Sequence, residues 1–217
     1  MRNIMLIGKM GSGKTTIARA LKKDFDYEIL SFADPVKAVV YGLAEGQSPE
    51  PLIYRNITKY TQLSSEQLQT LINMCHVTKE IKSEPPKFRE RLQFFGTDCG
   101  RNVIDKDLWI KCLLARIEDL ELDDSVVVDD VRFINEYYAL LKKDFLPVVV
   151  SVAPDTQKER LEALYGKQTN EVINHESETQ IELMRGKALL EDGGISLNGN
   201  LSESIIKSML VSITRGG

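Results

Sequence analysis

Apolar residues along this chain gather in five short runs, separated by longer stretches whose spacing is helical. Asn3 to Ile7 is apolar enough for a buried parallel strand. A glycine-rich turn follows, and then Ile17, Leu21 and Phe25 recur at i, i+4 and i+8, as on one face of a helix. Glu28 to Phe32 predicts a second short strand. Val126-Val127-Val128 and Pro147 to Val152 are β-branched runs suited to central parallel strands, and Ile195-Ser196-Leu197 before Asn198-Gly199 predicts a fifth. From Asp34 to Leu122 the pattern is helical. Ser64-Ser65-Glu66-Gln67 matches a capping box ahead of Leu68, Leu71, Ile72 and Cys75 on one face. Pro85-Pro86 breaks the chain, and after Asp105 or Asp107 a helix carrying Leu113 and Ile117 runs toward Leu120. Strands separated by helices imply right-handed crossovers and a doubly wound parallel sheet, in which ligands bind beyond the carboxyl ends of the strands. No repeat, low-complexity tract or long linker interrupts the pattern, so the reading is one domain with insertions.

Composition narrows this further. A length of 217 residues suits one α/β domain of ordinary core size. Mean hydropathy is −0.20, and no apolar run approaches the roughly 20 residues that a bilayer-spanning helix needs, which excludes an integral membrane protein of that kind. The N-terminal run passes straight into glycines without a cleavage-site pattern and reads as a strand, not a signal peptide. Cys75, Cys99 and Cys112 are odd in number and lack metal-ligand spacing, which fits a reducing cytoplasm with the thiols as small hydrophobes. A net charge of −4 argues against stable nucleic-acid binding, which needs a basic face. Local basic clusters can still hold small phosphorylated ligands.

Gly8-Lys9-Met10-Gly11-Ser12-Gly13-Lys14-Thr15 satisfies G-x-x-x-x-G-K-[ST] at every position, directly after a strand and before a helix. Gly11 and Gly13 permit the backbone angles that turn successive N–H groups inward, with Gly8 and Ser12 completing the loop. The helix N-terminus adds about half a positive charge toward the anion. Such a loop cradles the triphosphate of ATP or GTP. Lys14 is placed to bridge the β- and γ-phosphates, Thr15 to ligate Mg²⁺, and Thr16 to lie nearer the α-phosphate.

The loop alone does not separate kinases from switches, motors or transporters. The N-K-x-D of a guanine-specific switch is absent. The run Val126 to Val128 ends in Asp129-Asp130, followed by Arg132. Such a strand end can hold Mg²⁺ through Asp130 or Asp129 while Arg132 reaches a phosphate; the alternative is a carboxylate pair capping the next helix. Residues 85 to 101 carry Lys87, Arg89, Arg91 and Arg101 against Glu90 and Asp98, with Phe94 and Phe95 available to wall a base. That segment reads either as an anion site or as a solvated helix face with an apolar underside.

Three segments carry a resemblance: Ser31-Phe32-Ala33-Asp34-Pro35-Val36-Lys37; Arg91-Leu92-Gln93-Phe94-Phe95-Gly96-Thr97 through Arg101 to Trp109-Ile110; and Asp130-Val131-Arg132-Phe133-Ile134-Asn135-Glu136. Together with His175-Glu176-Ser177-Glu178, and in this order behind the phosphate loop, they resemble the phage deoxynucleoside monophosphate kinases. The resemblance implies an α/β, three-layer P-loop fold with a central five-stranded parallel sheet, and one kinase domain over residues 1–217. Its core would take about 1–33, 122–155 and 188–217, its helical acceptor-binding insertion 34–121, and its lid 156–187. It also implies ATP and Mg²⁺ as cofactors, Asp34 and Lys37 on the acceptor side, and Arg91, Gln93 and Arg101 holding the acceptor, with Trp109 beside them. Arg132 and Arg160 would act on the phosphates alongside Lys14, with Lys158 and Lys167 standing in for sparse lid arginines. Dimerisation is a further family trait.

A phosphate-monoester acceptor suits the residues themselves. Its second pKa is about 6, so at neutral pH it is an anionic nucleophile that needs no general base. That agrees with a chain holding only two histidines, His76 and His175, read as structural and as a lid or capping residue. Three alternatives stay open on sequence grounds: a kinase of a hydroxyl acceptor with Asp34 as base, a kinase of another phosphorylated metabolite such as a phosphomevalonate, and a P-loop ATPase acting as a binding module.

Overall fold

The computed structural model describes residues 1–82, 88–121, 124–165, 176–200 and 203–214. Pro85-Pro86, Lys87, Lys167 and His175 lie outside the described residues.

Five parallel strands form the sheet: β1 (Ile4–Ile7), β2 (Tyr27–Leu30), β3 (Ser125–Val131), β4 (Leu146–Ser151) and β5 (Ile195–Asn198), in the order β2-β3-β1-β4-β5. β1 is central and every one of its residues is buried, as expected of a strand with helices over both faces. Alternation sets the two faces. Ile4 and Leu6 pack with Ile17, Ala18 and Leu21 of α1 (Lys14–Phe25) and with Leu210 and Ile213 of α10 (Glu203–Thr214). On the other side α9 (Glu176–Leu190) packs against β1 and β4, burying Ile181, Met184 and Ala188 at helical spacing. α7 (Ile134–Leu141) follows β3, and α8 (Pro154–Tyr165) follows β4.

The backbone divides into two compact units, one of Met1–Ser31 with Leu122–Gly217 and one of Phe32–Glu121. The second unit is helical, with α2 (Asp34–Ala44), α3 (Pro49–Ile53), α4 (Ser65–Glu80), α5 (Arg89–Gln93) and α6 (Leu108–Glu118). The capping box before α4 is formed. Ser64 Oγ accepts from the Gln67 N–H at 3.1 Å, and the Ser64 N–H donates to Gln67 Oε1 at 3.0 Å. Gln67 Nε2 then donates to the Ile104 carbonyl at 3.1 Å, which ties this cap to the segment ahead of α6.

Three elements differ from the sequence reading. β2 starts at Tyr27 and ends at Leu30, and the buried Phe32 lies beyond it: the register Tyr27↔Ser125 to Leu30↔Val128 ends the pairing there. Tyr54–Thr58 and Phe94–Ile104 are π-helical, a wider winding that apolar spacing does not announce. In the longer one, the Gly96 carbonyl accepts from the Trp109 indole N–H at 2.7 Å, and a Cβ at Gly100 would fall 2.2 Å from the Trp109 ring. The three cysteines are free and buried, and burial pushes each thiol up to about 12.

Candidate active site

The phosphate loop leaves β1 at Gly8 and enters α1 at Lys14. Gly11 has φ 79° and Gly13 φ 101°, both in the region that favours glycine, so the helix starts from a left-handed cap that no other residue type holds as easily. Gly8 is fixed by crowding: a Cβ there would sit 2.3 Å from the Val150 carbonyl oxygen and 2.7 Å from Ser12 Oγ. Gly199, just after β5, is tighter still, since a Cβ would fall 1.7 Å from the Ser12 carbonyl oxygen. The turn after the edge strand β5 thus braces the loop from behind.

Lys14 is buried, and its ammonium donates to the carbonyls of Gly8 and, at 3.0 Å, of Lys9. The charge is therefore held inside the curl of the loop. Thr15 and Thr16 follow in the first turn of α1, both exposed. The loop is clamped from outside by α8. Gln157 Nε2 donates to the Met10 carbonyl at 2.9 Å. The Arg160 guanidinium donates to the Gly11 carbonyl at 2.9 Å, to Asn200 Oδ1 at 3.0 Å and to the Gly199 carbonyl at 3.3 Å. Arg160, expected to act on phosphates, thus ties the loop to the turn after β5 and is already oriented at the loop's rim.

At the end of β3 the register against β1 slips: Met5 faces Val128, but Ile7 faces Val131, so β3 holds one extra residue where Asp129 and Asp130 stand. A bulge of this kind re-aims side chains at a strand end. Asp130 Oδ2 accepts from Ser31 Oγ at 2.5 Å, which links the carboxylate to the end of β2. The turn that follows is organised by Glu136, a carboxylate only 1% exposed, which accepts the backbone N–H of Arg132 at 2.8 Å and of Phe133 at 3.1 Å. Gln180 accepts the next one, from Ile134, at 2.9 Å. Arg132 is thereby set on a rigid turn.

Beside the loop opens a cavity of about 400 Å³ whose lining includes Gly8, Lys9, Ser12, Gln157, Glu182 and Arg185. Ser12 Oγ is buried without a hydrogen-bond partner among the described residues, an arrangement that costs stability unless a ligand or water completes it. Lys9 Nζ pairs with Glu182 at 2.8 Å, and Arg185 with Glu182 at 3.7 Å. The hydrogen bond from Lys9 holds the Glu182 carboxyl below its usual range.

Within the helical unit, Asp34 begins α2 with its carboxylate on Arg116 at 2.9 Å. Lys37 lies one turn on, half-exposed, and Gln93 is exposed at the end of α5. Arg101 Nη1 donates to the Lys106 carbonyl at 3.4 Å. Three expected acceptor contacts sit elsewhere than foreseen. Arg91 donates to the carbonyls of Ile81 at 3.0 Å and Lys79 at 2.9 Å, capping the end of α4, with its guanidinium over the Phe88 ring. Trp109 is 2% exposed and packs against the fully buried Phe95, so both are core residues of this unit.

Residues 4–182 match the model of the family described as AAA domain. The chain belongs to that family. Among solved structures, this AAA domain chain is similar to the crystal structure of TT1252 from Thermus thermophilus, at 16% identity over 100% of both chains with a TM-score of 0.53, a likeness of fold. Shikimate kinase from Acinetobacter baumannii in complex with shikimate aligns at 14% identity over 99% of this chain and 94% of that one, with a TM-score of 0.46. Deoxyadenosine kinase from M. mycoides with bound dATP aligns at 13% identity over 100% of both, with a TM-score of 0.37. No curated protein matches the sequence. The AAA domain chain thus has an α/β P-loop fold: a five-stranded parallel sheet, flanking helices, and a phosphate loop after its central strand. Among the described residues no helix is long and apolar enough to cross a membrane.

Sequence reasoning missed Gly199, Ser31, Glu136, Arg116, Glu182 and Arg185 as parts of this arrangement. Gly199 had a signal, since it interrupts Asn198-Gly199-Asn200 right after a strand. Ser31, Arg116 and Glu182 meet partners far along the sequence, where spacing carries no information, whereas Glu136 and Arg185 act on neighbours within four residues.

Proposed function

We propose that this chain transfers the γ-phosphoryl group of ATP to a nucleoside or deoxynucleoside 5′-monophosphate, giving the diphosphate. The observation that carries the acceptor class is the Asp34–Arg116 pair at 2.9 Å. Asp34 is the carboxylate that a hydroxyl acceptor would use as its base, and its Oδ2 accepts instead from the Arg116 guanidinium. It therefore serves to position, and an acceptor that brings its own anionic nucleophile fits. The ordered resemblance to the phage deoxynucleoside monophosphate kinases supports the same reading.

The step needs no proton transfer. An acceptor phosphate oxygen attacks the γ-phosphorus and forms the new P–O bond, while the bond from that phosphorus to the β–γ bridging oxygen breaks and ADP departs with the electron pair. The protein's work is placement and charge neutralisation. The loop N–H groups of Gly8, Gly11, Ser12 and Gly13 take the polyphosphate, Lys14 the β- and γ-oxygens and Thr16 the α-phosphate. Arg132 and Arg160 offset charge at the transferring group. The hard oxygen donors Thr15 and Asp130, with Asp129, suit Mg²⁺, which binds through one or two carboxylates, waters and substrate phosphates; when bound it neutralises the β- and γ-oxygens. Lys37, Gln93 and Arg101 contact the acceptor.

ADP release measured with and without added monophosphates tests this. The expected result is turnover that depends on the acceptor, because closure onto the second substrate completes the site and excludes water. The same rate with no acceptor would instead make the chain an ATPase.

A further inference from the structure

The cavity beside the phosphate loop is lined by two cations, Lys9 and Arg185, and by the buried, unpartnered hydroxyl of Ser12. Between the cations stands one carboxylate. Glu182 receives Lys9 at 2.8 Å and Arg185 at 3.7 Å, so two positive groups from the loop and from α9 converge on a single anion at the cavity's edge. We infer that Glu182 is a placeholder anion: Lys9 and Arg185 form a polyphosphate clamp, and an incoming nucleotide triphosphate takes both cations from Glu182. This deepens the proposed function and rests on its triphosphate reading.

Three observations carry it. α9 is anchored by its buried face, Ile181, Met184 and Ala188, so Glu182 and Arg185 are presented by a fixed element and not by a loose loop. Side-chain exposures of 41% for Lys9, 55% for Glu182 and 46% for Arg185 keep the pairs solvated. Such pairs are worth about 1 kcal/mol or less and are readily exchanged. A triphosphate carries several negative charges against one on Glu182, and Arg grips phosphate through two parallel hydrogen bonds. Finally, Ser12 Oγ offers a donor at the same cavity that no group among the described residues uses.

Equilibrium titration of the full chain with MgATP, and separately with inorganic tripolyphosphate, tests the placeholder. Relative to wild type, Glu182→Gln is expected to bind both about two- to fivefold tighter, the range set by one exposed ion pair. Arg185→Ala is expected to weaken binding, Arg185→Lys to restore part of it, and Arg185→Ala combined with Lys9→Ala to abolish the gain from Glu182→Gln. The gain should also shrink as salt is raised. Unchanged or weaker binding in Glu182→Gln, or a gain that survives loss of both cations, would overturn the placeholder while leaving the nucleotide reading intact. A wild-type chain with no affinity for either probe would overturn both.

Discussion

In the proposed transfer Lys14 carries the heaviest single duty, because its buried ammonium is already turned onto the loop carbonyls of Gly8 and Lys9. Lys14→Ala should lower kcat/KM by about 10²- to 10³-fold, the scale of losing one preorganised charge-stabilising donor, with an unchanged circular dichroism spectrum. Activity near the wild-type level would remove the loop from the chemistry. Gly199→Ala makes a different demand. Its Cβ would meet the Ser12 carbonyl oxygen at 1.7 Å, so either the loop or the turn after β5 must shift. The expected cost is about 1–3 kcal/mol in denaturant unfolding, together with weaker ATP binding. At this scale the sequence was legible where function is encoded in consecutive residues, as from Gly8 to Thr15. It was silent where one residue matters through a neighbour 99 positions away, as Ser31 does for Asp130.

Elements were legible in proportion to how much of their pattern is local. Each of the five strands overlaps its predicted apolar run, β2 stopping two residues short at Leu30, and α4 begins at the predicted capping box. Ser64→Ala should cost the helical unit about 1 kcal/mol, read as a lowered denaturant midpoint with an unchanged slope. A wild-type midpoint would mean that the cap contributes nothing. The π-helical winding from Phe94 to Ile104 escaped because its side-chain period departs from 3.6 residues per turn, and with it went the true positions of Phe95 and Trp109. Arg91 was misplaced for a related reason: a cluster of arginines does not reveal which member caps a helix end, and Arg91 closes α4. Arg101 is proposed to hold the acceptor. Arg101→Ala should raise the acceptor KM about tenfold with little change in the KM for ATP, the pattern of lost acceptor binding. An unchanged acceptor KM would place it outside the site.

For the molecule as a whole, the buried thiols of the helical unit set an alkaline limit. Burial lifts Cys75, Cys99 and Cys112 from 9.0 to about 12, so the native state keeps protons that the unfolded chain gives up. Their contribution to stability is complete below about pH 9 and is lost as pH rises toward about 12. Tyr27, lifted to about 12 by burial, and Tyr137, raised by burial and by the hydrogen bond it donates to Asp192, act in the same direction in the sheet-bearing unit. Melting temperature should therefore fall steadily above pH 9, and a thiol reagent at pH 8 should modify the cysteines only as the chain unfolds; a flat profile with immediate labelling would contradict this. The central claim is that a phosphate, not a hydroxyl, accepts the phosphoryl group. Its most direct test is ³¹P NMR of the products formed from MgATP with dAMP, dGMP, dCMP, dTMP, dUMP and their ribose counterparts, each beside the matching nucleoside. The account predicts the paired resonances of a nucleoside diphosphate with one or more monophosphates and none with nucleosides; new monophosphate from nucleosides alone would return Asp34 to the role of base and contradict it.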